Sequence, residues 1–330
     1  MKKIILSLVA AIVATTATFA QSSLLATLSH EGAITTYYGA TALSAAHEAA
    51  VDGDIITLSS GSFNTVTITK GITIRGAGMA IDPTTQSEPT ILKGDFSITM
   101  AQEAASRLTI EGVYCNGEAT INANLKGATF LKSRFKKLSS GNYKVENLTM
   151  IHCKVTNGMS FNTNNATFSC LNCIIWEPMN SPGEFINCVI RKQTLSYYLS
   201  PCTFKNCIFV GCMNSTFDNN NTIYNCVGLN EEGYNLFNGI TNSTNLVLSD
   251  YSAIFKTCTD GTYSDNETFE LTTNAASTYL GTDGRQIGIY GGTMPFDPRP
   301  SNPQITNCVV APKSDANGKL SINVTVQGVQ

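Results

Sequence analysis

A six-residue phrase recurs from Ile74 to Gly228 and limits what this chain can fold into. It is clearest at Phe204-Lys-Asn-Cys-Ile-Phe209, which reads apolar, any, Asn, Cys, any, apolar. The same phrase stands at Cys170-Leu-Asn-Cys-Ile-Ile175, Phe185-Ile-Asn-Cys-Val-Ile190 and Ile223-Tyr-Asn-Cys-Val-Gly228. Looser copies are Met150-Ile-His-Cys-Lys-Val155, Phe130-Leu-Lys-Ser-Arg-Phe135 and Ile110-Glu-Gly-Val-Tyr-Cys115. Looser still are Ile91-Leu-Lys-Gly-Asp-Phe96 and Ile74-Arg-Gly-Ala-Gly-Met79. The third position falls at residues 76, 93, 112, 132, 152, 172, 187, 206 and 225, in steps of 17, 19, 20, 20, 20, 15, 19 and 19. A period near 20 with strand-like content in each unit marks a solenoid, whose repeats bury their apolar faces against their neighbours.

The chemistry of the phrase narrows the kind of solenoid. Positions 1, 4 and 6 are apolar or small, so two short strands meet at a corner, with position 3 as the corner itself. Alternation sends positions 4 and 6 to one face and position 5 to the other. Asn and Gly dominate position 3 and tolerate the positive φ of a tight bend. Stacked coils put Asn172, Asn187, Asn206 and Asn225 one above the next at about 4.8 Å, so their amides are expected to form a ladder. Val, Ile, Thr and Phe fill the remaining positions and suit strands. This pattern resembles the right-handed parallel β-helix of the pectin-lyase-like proteins, and the resemblance covers most of the chain.

The chain divides accordingly. Residues 1–20 read as an export leader: Lys2 and Lys3, an apolar core from Ile4 to Ala14, and the small-residue cleavage site Thr18-Phe-Ala20. Such a core is too short to span a membrane. The mature protein is therefore expected to be extracytoplasmic, either periplasmic or secreted to the cell surface, and not membrane-spanning. Residues 21–295 form the expected solenoid, and 296–330 a Pro-rich linker with a C-terminal β-hairpin. Ala40 to Val51 is the one convincing helical stretch, and the resemblance implies that it caps the open end of the stack. Gly53 to Leu58 and Val66 to Ile74 read as the first strands, with turns at Gly61-Ser-Phe and Gly76-Ala-Gly. Gly281 to Gly292 resembles a closing coil. Pro295, Pro298, Pro300 and Pro303 predict a stiff linker, and the runs Gln304 to Ala311 and Leu320 to Gln327 predict the hairpin. Charged residues are 14% of the chain and the net charge is -3, which gives no reason to expect nucleic acid as a partner.

The cysteines follow the repeat. Cys153, Cys173, Cys188, Cys207 and Cys226 all hold position 4, which points into the stack, where Cys behaves as a small hydrophobe. A column of buried thiols is the preferred expectation, and one or more disulfides, which export permits, the alternative, with at least one of the eleven cysteines left unpaired. Cys170-Leu-Asn-Cys173 has the spacing of a redox or metal motif, but both residues fall on inward positions that the phrase already explains; no metal site is expected. His152 takes a corner position otherwise held by Asn and reads as a ladder residue. His30 and His47 have no acidic or nucleophilic partner that the sequence places.

Enzymes on the fold that the chain resembles use outward carboxylates, with calcium in many lyases. Acids are sparse between residues 110 and 228, and Glu177 with Glu184 is the one pair to consider as acid and base. No cofactor is expected unless the protein is a lyase, for which the resemblance implies calcium. Two outward columns say more. Tyr114, Arg134 and Lys154 at position 5 stack on successive coils, with Lys136, Lys137 and Lys144 close in sequence, and suit an anionic glycan. Higher up, position 5 becomes Ile174, Val189, Ile208 and Val227, while position 2 carries Leu131, Ile151, Leu171 and Ile186. An apolar strip over several coils requires a cover, for which the C-terminal hairpin is the first candidate and a partner protein or self-contact the next. The preferred reading is an exported, non-catalytic β-helix that binds polysaccharide or a surface protein along an extended β-face. The alternatives are a polysaccharide lyase or glycoside hydrolase acting on acidic polysaccharide, and a structural or adhesive surface protein.

Overall fold

The computed structural model describes residues 24–82, 86–161, 166–179, 182–191, 201–211, 217, 220–229, 236–237, 244–261, 264, 267–301, 303–315 and 317–327. The expected leader, residues 1–20, lies outside them. The chain is an all-β parallel solenoid built on a 12-stranded and a 13-stranded sheet, with a separate two-stranded sheet at the C-terminus. Each corner phrase contributes its first half to one sheet and its second half to the other. Thus Thr203–Lys205 lies in the first sheet and Ile208–Val210 in the second, with Asn206 between them.

The corner backbone explains the phrase. Lys132, His152, Asn172, Asn187, Asn206 and Asn225 have φ between 46° and 56°, and Gly112 has φ 65°. Only Gly, and Asn among side-chain-bearing residues, takes this left-handed conformation cheaply. From Gly112 to Asn206 each corner N–H then donates to the position-2 carbonyl of the next coil, as His152 does to Leu171 at 3.1 Å and Asn187 to Lys205 at 2.9 Å, while Asn225 N–H donates to Thr244 Oγ1 at 3.0 Å. The ladder along the corners is thus a backbone ladder.

The interior is lined by positions 1, 4 and 6. Phe185 and Phe204, in register, stack with centroids 5.0 Å apart and planes 11° from parallel, and Phe209 meets Phe204 edge-on at 5.2 Å. All three are fully buried, each contributing roughly 1.5–3 kcal/mol of burial. The position-4 thiols lie in the same core and donate to the preceding coil. Cys153 reaches the Phe130 carbonyl, Cys188 that of Cys170 and Cys207 that of Phe185, all at 3.3 Å. Ser133 holds the equivalent place and bonds the Leu131 carbonyl at 2.8 Å.

Three local expectations are corrected. The copy at Ile91 is not a corner: Thr73–Arg75 pairs directly with Thr109–Glu111, and Gly76 N–H donates to the Glu111 carbonyl. Ile91 instead stacks on Tyr114 in the second sheet, completing the coil that Ile74 begins. An insertion between Gly78 and Thr90 had mimicked a repeat unit. Gly61–Asn64 is a strand rather than a turn, because it pairs with Thr90–Lys93. Between residues 66 and 72 there is no strand, only an isolated bridge from Ile68 to Ile98. At the N-terminus, Leu25–His30 pairs antiparallel with both Ala33–Tyr38 and Ile55–Leu58. The helix Ala42–Ala49 packs on these strands through Ala42, Leu43, Ala46 and His47.

Candidate functional site

The outward column of the second sheet runs in direct register from Ser62 through Ile91, Tyr114, Arg134 and Lys154 to Ile174. It continues through Val189, Ile208 and Val227. Its two halves meet different fates. Ile174, Val189, Ile208 and Val227 are 0–3% exposed, yet they do not belong to the interior core. They form a second apolar cluster with Tyr251, Phe255, Phe269, Leu271, Ile287 and Phe296. The strip is therefore covered, as its composition requires, but by residues 251–296 rather than by the C-terminal hairpin. The hairpin, Gln304–Val310 with Ile322–Gln327, leaves Val309, Val310, Ile322, Val324 and Val326 45–57% exposed.

The end of that cover is a strap along the corner column, not a closing coil or a free linker. Gly288 N–H donates to the Asn206 carbonyl at 2.9 Å. The Asn172 amide donates to the carbonyls of Ile289 at 2.8 Å and Gly291 at 2.9 Å. His152 Nε2 meets the Met294 carbonyl at 3.0 Å, and Phe296 packs edge-on to its ring. Further down, Pro300 is buried against Gly112 and Gly78, and Ser301 N–H donates to Glu111 Oε1 at 2.7 Å. Corner side chains thus hold the strap. Asn172, for which an amide ladder was expected, spends its donors on it. A Cβ on Gly292 would stand 2.3 Å from Asn187 Nδ2, so the strap needs glycine where it crosses that corner.

The lower half of the column carries the predicted basic residues. The Arg134 guanidinium lies 4.4 Å from the Tyr114 ring centroid, and Lys154 Nζ lies 5.8 Å from that of Phe296. Tyr114, Arg134 and Lys154 are half-buried, and Lys136 is exposed. Lys137 and Lys144 are matched by carboxylates, Glu118 at 2.9 Å and Glu146 at 2.8 Å. Phe296 is the residue that sequence reasoning missed. Its contact follows from the path of the strap, which no local pattern announces.

Glu177 and Glu184 fall on different sheets: Glu177 follows Ile174–Trp176 and pairs with Arg191 at 3.2 Å, while Glu184 begins Glu184–Ile186. Nine cysteines, including all five at position 4, are buried and free. Burial pushes the thiols of Cys153, Cys188 and Cys226 up, and those of Cys202 and Cys258 to about 12. Burial raises Cys170, of the CxxC spacing, as well. Among the described residues no group of three or more His, Cys, Asp or Glu side chains could hold a metal ion. His30 does have a partner, contrary to expectation: its Nδ1 lies 2.8 Å from Asp54 Oδ1. His47 is buried and its Nε2 accepts from Thr69 N–H at 3.1 Å. No protein-family model, curated protein or solved structure matches the chain.

Proposed function

We propose that the protein is an exported, right-handed β-helix, capped by Ala42–Ala49, that binds anionic glycan without catalysis on the outer face of its second sheet. The stack of Arg134 on Tyr114 at 4.4 Å carries this reading. A guanidinium held over a ring is pre-organised for carboxylate or sulfate, so less side-chain entropy is lost on binding. Lys154 extends the cationic row one coil up, at the spacing of the strands. The strap bounds the row above through Phe296, so a chain would lie across the coils from residue 62 to residue 154. Export rests on the leader pattern, and among the described residues no helix is long and apolar enough to cross a membrane.

The test is a screen of the purified protein against polygalacturonate, alginate and heparin, with and without calcium, following binding and the ultraviolet absorbance of unsaturated uronate together. Binding that falls with salt and weakens in Arg134→Ala and Lys154→Ala supports the proposal. Rising absorbance makes the protein a lyase instead, and the absence of binding removes the reading. The exposed apolar residues of the hairpin favour a second reading, a protein partner at the C-terminus.

A further inference from the structure

The outer face of the first sheet has a different chemistry. One residue ahead of each phrase stands a hydroxyl: Thr73, Thr109, Thr129, Thr149, Ser169, Thr203 and Thr222, with Glu184 the single interruption. These residues pair in direct register from coil to coil. They form a row parallel to the solenoid axis, about 29 Å long from Thr109 to Thr222 at the strand spacing of about 4.8 Å. Two residues on, and so on the same face, runs a second row: Arg75 and Glu111, ion-paired at 3.3 Å, then Leu131, Ile151, Leu171 and Ile186, followed by Lys205 and Tyr224. The four aliphatic side chains are half-buried and pack into neither core. Lys205 Nζ lies 5.8 Å from the Tyr224 ring centroid, at one end of the face.

We infer that this face binds a neutral, extended polysaccharide lying along the solenoid axis. Its repetition over successive coils calls for a ligand that is itself a repeating chain. A protein helix seeks a groove, and a flat pair of rows offers none. Nucleic acid requires cations, yet the aliphatic row carries no charge between Leu131 and Ile186. The one charge in the hydroxyl row is the carboxylate of Glu184, which repels an anionic polymer and accepts hydrogen bonds from sugar hydroxyls. A chain of neutral pyranoses presents apolar C–H faces and hydroxyl edges, which match an aliphatic row beside a hydroxyl row. Tyr224 supplies a ring on which a terminal sugar stacks.

The experiment measures retention of the purified protein on cellulose, chitin and mannan, and its migration in gels containing laminarin or xyloglucan, with polygalacturonate as the anionic comparison. Thr129→Val with Thr149→Val removes two hydroxyls while keeping shape and strand preference, and is expected to weaken neutral-glycan binding by about tenfold. Ile151→Glu with Leu171→Glu is expected to abolish it. Arg134→Ala is expected to leave it unchanged while weakening any binding of polygalacturonate, so this face and the basic column of the second sheet fail or succeed separately. Should the double glutamate variant not fold, the double valine variant, confirmed folded by circular dichroism, decides alone. Retention by none of the five neutral polysaccharides, or retention indifferent to the valine pair, overturns the inference.

Discussion

Replacing Asn172 by Gly tests whether the corner column exists to hold the strap. Asn172 is buried, and its amide donates to the Ile289 and Gly291 carbonyls at 2.8 and 2.9 Å. A hydrogen bond of this kind contributes about 0.5–1.5 kcal/mol net, and a buried carbonyl left without its donor costs about 1–3 kcal/mol. Losing both bonds is therefore expected to cost about 2–4 kcal/mol. Glycine is the right replacement because φ is 50° at this corner, where alanine would add strain of its own. The control is Asn225→Gly, with φ 53° but one coil beyond the strap's contact at Asn206. The backbone entropy cost of glycine, about 0.5–1 kcal/mol, is common to both and cancels in the difference. Urea denaturation reports the global loss. Hydrogen exchange at the Phe296 amide, which donates to the Ile289 carbonyl at 2.8 Å, reports whether the strap opens by itself. The reasoning is refuted if the two variants agree within about 0.5 kcal/mol and exchange at Phe296 is unchanged.

Two further outcomes follow from the titrating groups. Burial, with a smaller contribution from Lys70, holds the His47 pKa below its ordinary 6.5, and the folded state keeps the ring neutral to accept from Thr69. The unfolded chain takes up that proton near 6.5, so this contribution to stability is lost as pH falls from about 6.5 toward the lowered value. His47→Gln keeps an acceptor and is expected to remove that part of the slope. The opposite slope from His30, whose pKa is raised by its hydrogen bond to Asp54, is unchanged and cancels in the comparison. Equal urea midpoints against pH for variant and parent would falsify this account. For the thiols, eleven cysteines less the nine described as free and buried leaves two. At most two are expected to react rapidly with Ellman's reagent in the native protein and all eleven after unfolding and reduction; faster native labelling contradicts the packed column.

The corner was legible because one physical constraint acts on one position. Positive φ selects Gly or Asn, and the strict strand period then fixes which neighbours face inward. The same reasoning failed where composition has two solutions. Ile91-Leu-Lys-Gly-Asp-Phe96 has the apolar spacing of a phrase, but Gly94 serves a different bend, and Ile91 belongs to the coil begun by Ile74. Residues 281–301 are rich in Gly and Pro, which suits both a mobile linker and a chain pressed against other backbone. Only the crossing points separate the two: Gly292 under Asn187, and Pro300 against Gly112. For the candidate site, the stack of Tyr114, Arg134 and Lys154 was readable from spacing alone. The contact of Phe296 with Lys154 spans 142 residues and was not. The hydroxyl row was present in the sequence but lay one residue outside the phrase, where no corner or core requirement drew notice to it.

The strap also bears on how the two outer faces are to be understood. It follows the corner between the sheets, so it has access to both. On the second sheet the chain invests in a full cover: Ile174, Val189, Ile208 and Val227 vanish under Tyr251, Phe255 and Phe269. On the first sheet Leu131, Ile151, Leu171 and Ile186 sit immediately before the same corners, beside the same strap, and remain half-exposed. The residue types are alike, and each exposed aliphatic forgoes roughly 1 kcal/mol or more of burial. A chain that can cover one strip and passes alongside the other without covering it leaves the second available. The hydroxyl row that accompanies it, in register through seven strands from Thr109 to Thr222, gives that availability a chemistry.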